Sequence, residues 1–206
     1  MSTAGAVPPG RSAVRVDGRA ARAERTRRAI VDALLVLIGE GDLLTSPERI
    51  VERAGVSLRT LWTNFKDLEG LYAAVDQRLI ELVLESYQPI PSGSPLPERI
   101  HALCHQRGRL LELAAPATRA SQLRLPYSAQ LRRNRQAHHR RSCDELRTVF
   151  ATELDPLNPT QRECLVGDLA VNTSPAAWLL LRDELAMTQR AATEVLIRSV
   201  TALLNR

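Results

Sequence analysis

Aromatic side chains are scarce in this 206-residue chain: two Trp, three Tyr and two Phe, 3% in all. Any core must be packed mainly from aliphatic residues, and the 44% hydrophobic content is enough for a substantial one. Lysine is rarer still. Lys66 is the only one, so basic charge sits almost entirely on arginine. Arginine favours bidentate phosphate contacts, although a GC-rich genome produces the same bias. Cysteine is confined to Cys104, Cys143 and Cys164. An odd number at wide spacing argues against a disulfide framework and for a reducing cytosol. The N-terminus lacks the apolar run of a secretory leader. No stretch approaches the roughly 20 apolar residues of a membrane span. These absences lead us to expect a soluble, cytoplasmic protein that does not enter a membrane. The net charge of +5 permits a nucleic-acid partner without proving one.

Residues 1–20 are small, Gly/Pro-rich and without period, which reads as a disordered basic arm. Such an arm either solubilises the chain or reaches into a DNA groove beside a reading head. From about Ala21 to Glu40 the pattern turns helical, with Ile30, Ala33, Leu34, Leu37 and Ile38 on one face. Ser46-Pro47 opens a second helix as cap and first position, and Gly55 ends it. Further helices are expected at 71–87, 97–115, 117–124, 127–153, 160–185 and 189–205. Pro116 and Pro126 serve as joints, and Ser174-Pro175 marks a kink or a fresh start. The loop at 88–97 holds four prolines. No strand-type alternation stands out, so the fold class is all-α.

The stretch AGVSLRTLWTNFKD, residues 54–67, carries the most information. A helix, a three-residue turn opened by Gly55 and a short polar helix make a helix-turn-helix. Gly55 can take the positive φ of a tight turn. Ser57 caps the new helix. Leu61 and Phe65, one turn apart, pin it down, and Val56 plugs the turn. The rest is polar because a recognition helix buries one narrow stripe and offers the remainder to the major groove. Arg59, Thr60, Thr63 and Asn64 suit base edges and phosphates.

On these residues the chain resembles the tetracycline-repressor-type (TetR) transcriptional regulators. The resemblance lies in IVERAGVSLRTLWTNFKDLEGLYAAV, residues 50–75, through Ile50, Ala54, Gly55, Val56, Ser57, Thr60, Leu61, Phe65, Glu69 and Leu71. Three positions depart from the usual pattern. Val51 replaces a small Ala, Trp62 a phosphate-contacting Tyr, and Leu68 a Lys whose contact falls to Lys66, two residues earlier. The resemblance implies a DNA-binding domain at 21–68 and a helical effector-binding and dimerisation domain at 69–206. It implies a repressor that binds double-stranded palindromic DNA as a homodimer through its last two helices and is released by a small molecule. The expected DNA-binding residues are Ser46, Ser57, Leu58, Arg59, Thr60, Trp62, Thr63, Asn64 and Lys66. The expected ligand pocket takes the polar and aromatic groups of mostly aliphatic helices: His101, His105, Arg109, Tyr127 and Trp178.

In the last helix Ala192, Val195, Leu196, Ser199, Val200 and Leu203 form one stripe, and Trp178–Leu181 is apolar all round. A helix apolar on every side is buried on two faces, here its own domain and a partner subunit. His101, Cys104 and His105 share a face and are metal-ligand types, but packing or pocket lining is the simpler role and no metal is expected. The basic run at 131–141 is by default a solvated helix face, with a second DNA contact or an anionic-ligand site as alternatives. No Gly-rich phosphate loop or catalytic triad spacing is present, so neither a cofactor nor enzymatic activity is expected. The competing readings are an all-α enzyme with the helix-turn-helix as a packing motif, and a constitutive regulator with a filled core.

Overall fold

The apolar spacing of the first helix does what its period demands. Ile30, Leu34, Leu37 and Ile38 are all buried on one face of α1 (Arg11–Gly39). The computed structural model describes the backbone of residues 11–205 and side chains from residue 18 onward. The first half of the expected arm, residues 1–10, lies outside the described residues. Its second half is helical, which corrects the start of α1 by ten residues. Residues 18–25 are exposed along their whole length and rich in Ala and Arg. Such residues favour helix without needing an apolar face, so hydrophobic period alone could not detect them.

Two short helices follow, α2 (Pro47–Ala54) and α3 (Leu58–Asn64). Then comes α4 (Leu68–Glu85), which starts before Leu71 because Asp67 accepts from the Gly70 N–H at 2.8 Å. The second large helix, α5 (Leu96–Arg124), runs straight through Pro116. The two helices expected at 97–115 and 117–124 are therefore one. Pro116 costs a backbone hydrogen bond, but its neighbours Ala115 and Ala117 are both buried, in two different cores. Packing on either side holds the helix through the proline.

Beyond a turn lie α6 (Ala129–Val149), capped by Ser128, and the single turn α7 (Ala151–Leu154). Ser174 caps a fresh start: α8 (Pro159–Asn172) ends there and α9 (Pro175–Leu179) begins, its Ala177 N–H donating to Ser174 Oγ at 3.1 Å. A π-helical turn (Leu180–Glu184) and α10 (Gln189–Leu204) complete the chain. Among the described residues there is no strand, and the protein is all-α.

One core joins α1, α2, α3 and α4 around Ile50, Leu61, Phe65 and Leu71, and also takes Ala117 and Ala120 from the end of α5. The other joins α5, α6, α8, α9 and α10 around Leu103, Phe150, Trp178 and Leu196. Gly108 lets α5 and α10 approach closely: a Cβ there would lie 2.5 Å from Thr193 Oγ1. Arg99, buried, is held by Glu153 at 2.6 Å and by the Val149 carbonyl, tying α5 to α6 and α7.

Two expectations about the C-terminal helices change. The stripe on α10 is not a free partner face, since Ala192, Leu196, Val200 and Leu203 are buried in the chain's own core. An aliphatic stripe records only that it is covered, and here the same subunit covers it. The segment Pro159–Glu184 is also apolar and long enough to pass for a membrane span by length and composition. It is broken at Thr173–Ser174, and Trp178, Leu179 and Leu181 are packed in the core.

Candidate nucleic-acid interface and a cavity in the helical body

The turn between α2 and α3 has the backbone that its sequence requires. Gly55 sits at φ 66°, ψ 34°, in the left-handed region that glycine tolerates best. Ser57 accepts from the Thr60 N–H at 3.1 Å, and the two hydroxyls lie 2.9 Å apart. Ser46 caps α2 by accepting from the Arg49 N–H. Leu61 is fully buried and Phe65 nearly so, while Val56 packs half-buried on the same core. The two anchors hold α3 by its inner stripe alone.

The outward flank of α3 is free of the rest of the chain. Ser57, Leu58, Arg59, Trp62, Thr63 and Lys66 are exposed, and Ser46, Thr60 and Asn64 half-buried. Arg59 and Lys66 bring positive charge, and Trp62 a partly exposed indole whose N–H can donate. Two side chains offer less than their formulas suggest. Thr63 Oγ1 donates to the Arg59 carbonyl at 2.7 Å, and Asn64 Nδ2 to the Thr60 carbonyl at 2.8 Å. Their remaining acceptor positions are what they can present.

One contributor escaped the sequence. Arg27, on α1, donates through Nη1 to the Asn64 carbonyl at 2.6 Å and stacks its guanidinium 4.1 Å from the Phe65 ring centre. It closes the C-terminus of α3, where carbonyls lack partners and the helix dipole favours a cation. Nothing in the linear sequence connects residues 27 and 64.

A cavity of about 270 Å³ opens between α4, α5 and α6. Its apolar wall includes Leu79 and Val83 from α4, and Leu110, Leu111 and Ala114 from α5. A polar strip comes chiefly from α6: Asn134, Arg135, His138 and Arg141 at helical spacing. Arg107 lies against Glu145 at 2.5 Å at one side, and Asn134 Nδ2 donates to Asp76 at 2.8 Å. Burial raises the Asp76 carboxyl above its ordinary range, against the pull of the Asn134 bond and of Arg141 and Arg135. Burial also pushes His138 down to about 4, with Arg107, His139, Arg141 and Arg135 adding to it, so the imidazole is neutral at pH 7.

None of the five residues expected to line a pocket lines this one. His101, His105 and Arg109 follow one another along the solvent face of α5, while Cys104 between them is buried. Tyr127 is 85% exposed, and Trp178 is sealed in the core with its indole N–H donating to Glu112 at 3.0 Å. A polar residue in an aliphatic helix more often marks its wet face than a cavity, and that rule placed the expectation on the wrong side of α5. The three-residue metal-ligand pattern at 101–105 is likewise split between solvent and core. The basic run at 131–141 divides by phase: Arg132, Arg133, His139 and Arg140 face outward, while Asn134, Arg135, His138 and Arg141 line the cavity. The spacing of 3 and 4 within that run was the available signal.

No known family profile and no curated protein matches the sequence. Solved structures do match the fold. A transcriptional regulator from Rhodococcus sp. Rha1 superposes with a TM-score of 0.67 at 18% identity, over 89% of this chain and 96% of that one. A protein assigned to the TetR-family transcriptional regulators, from Mesorhizobium loti, gives 0.58 at 19% identity, over 89% and 97%. The multidrug binding protein EbrR, complexed with imidazole, gives 0.53 at 19% identity, over 84% and 93%. The chain therefore has the fold of TetR-type transcriptional regulators, a helix-turn-helix head on an all-α body.

Proposed function

We infer that the protein is a sequence-specific DNA-binding transcriptional regulator of the cytoplasm, acting as a repressor that a small molecule releases from its operator. The observation that carries the reading is the free outer flank of α3, fixed from behind by Leu61, Phe65 and Arg27. DNA contact falls to Arg59, Trp62, Thr63 and Lys66, with Ser57, Leu58, Thr60, Asn64 and Ser46 at its edges. Two heads on a homodimer read a palindrome whose half-site centres lie about 34–36 Å apart. With the α10 stripe used internally, the partner face falls to the exposed side of α8, around Cys164, Gly167 and Val171, and to the adjoining outer side of α10.

Release by a ligand is supported by α4. Leu71, Tyr72 and Val75 belong to the core of the head, whereas Asp76, Ile80 and Val83 line the cavity. A molecule that fits the cavity better in one setting of α4 than another shifts the spacing of the heads. A tenfold change in operator affinity requires about 1.4 kcal/mol of such coupling.

Selection of duplexes from random DNA tests the reading. A palindromic site whose affinity falls steeply with salt is expected. Failure to bind any duplex at low salt would overturn it in favour of an all-α protein that uses the helix-turn-helix only for packing.

A further inference from the structure

We propose that the cavity between α4, α5 and α6 takes a small monocarboxylate: an apolar body against α4 and α5, with its anionic head on the α6 strip near Arg135, His138 and Arg141. The proposal rests on the reading of the cavity as the effector site and specifies the chemistry of its occupant.

The walls are apolar mainly on α4 and α5 and polar mainly on α6. Leucine, valine and alanine side chains of α4 and α5 offer no hydrogen bond, so an occupant there must be apolar. Most of the polar groups come from the third helix, while Asp76, Tyr87, Arg107, Thr118 and Ser121 add polar atoms from the rest of the wall, of which Asp76, Arg107 and Thr118 already hold partners. Three arginines and two carboxylates line the cavity. Arg107 is used by Glu145. Asp76 already accepts from Asn134. Arg135 and Arg141 act on Asp76 through space and have guanidinium hydrogens left for a ligand. The His138 Nε2 is buried without a hydrogen-bond partner in the chain, and a neutral imidazole can donate one bond. An anion is favoured by this balance and an amine is repelled. At interior packing density the volume holds roughly ten non-hydrogen atoms, the size of octanoate.

Calorimetric titration of the full-length protein at pH 7.5 with octanoate, 1-octanol and octylamine tests this. These probes share a tail and differ in head. Octanoate should bind about tenfold more tightly than octanol, in line with a charge-assisted hydrogen bond, and octylamine more weakly than either. The double variant Arg135→Gln/Arg141→Gln should bring octanoate to within about twofold of octanol while octanol affinity is kept. Equal binding of octanoate and octanol, a preference for octylamine, or no binding of any probe at millimolar concentration would overturn the proposal. Duplex release is measured separately. Octanoate that binds without releasing duplex leaves the ligand chemistry standing and removes the effector role.

Discussion

Arg27 reaches across from α1 to bond the carbonyl of Asn64, the last residue of α3, while its guanidinium lies on Phe65. A seven-residue helix is too short to be stable by itself. Its position depends on what grips it, and this arginine grips its C-terminal end. Arg27→Met keeps the aliphatic stem but loses the bond and the charge. The expected cost is on the order of 1–2 kcal/mol of stability by urea denaturation, with weaker binding to every duplex. An unchanged denaturation midpoint would remove Arg27 from this role.

Arg59 and Lys66 should separate reading from gripping. Arg59→Ala is expected to relax base preference at one or two half-site positions, a loss of about 1–3 kcal/mol of discrimination. Lys66→Ala should weaken all duplexes alike and reduce the salt slope by about one unit. Anisotropy titrations over a salt series, on selected and scrambled duplexes, distinguish the two.

The glycines at 55 and 108 are needed for different reasons. Gly55 has open space around its α-carbon but a left-handed backbone, so Gly55→Ala should cost about 1 kcal/mol through conformation alone. Gly108 has an ordinary helical backbone, and a methyl there meets Thr193 and Trp178. Gly108→Ala should cost about 1–3 kcal/mol by overpacking. Cutting Thr193 back to Ala should recover part of the Gly108 loss and none of the Gly55 loss, as read by denaturation of the double variants.

Acid should destabilise the body through His138. Its folded pKa, about 4, lies below the ordinary 6.5, so the unfolded chain takes up the proton first as pH falls. The contribution is complete above about pH 6.5 and is lost as pH drops toward 4, amounting to at most about 3 kcal/mol. Asp76 works in the opposite sense, since its raised carboxyl makes the folded state the better proton acceptor. His138→Gln should flatten the stability profile between pH 6.5 and 4. A profile as steep as that of the parent chain would mean that other groups set the acid limit.

The three cysteines should report on packing and assembly. Burial lifts the Cys104 thiol to about 12 and makes it inert, while Cys164 is exposed on α8. Thiol reagents should modify Cys164 first and reach Cys104 only on unfolding. If the outer face of α8 meets its twin, a short bismaleimide should link two chains through Cys164, and diluting the protein before the reagent is added should prevent the link. Failure to cross-link at concentrations where sedimentation gives a dimer would move the interface elsewhere.

The helix-turn-helix was legible in the sequence because its signals are local. A left-handed turn needs Gly55, a short helix needs Ser57 as its cap, and a narrow buried stripe needs Leu61 and Phe65 one turn apart. The helical periods of α1, α4 and α10 were equally plain, since burial of one face repeats every 3.6 residues. The chain itself therefore determined an all-α fold with a helix-turn-helix head. The tertiary structure alone decided which subunit covers the α10 stripe, that Pro116 would be carried inside a continuous helix, and which side of α5 and α6 faces a cavity. It also paired Arg27 with Asn64 and Asp76 with Asn134. Periodicity shows that a face is covered but not by what, and partners 37 or 58 residues apart meet only when whole helices pack.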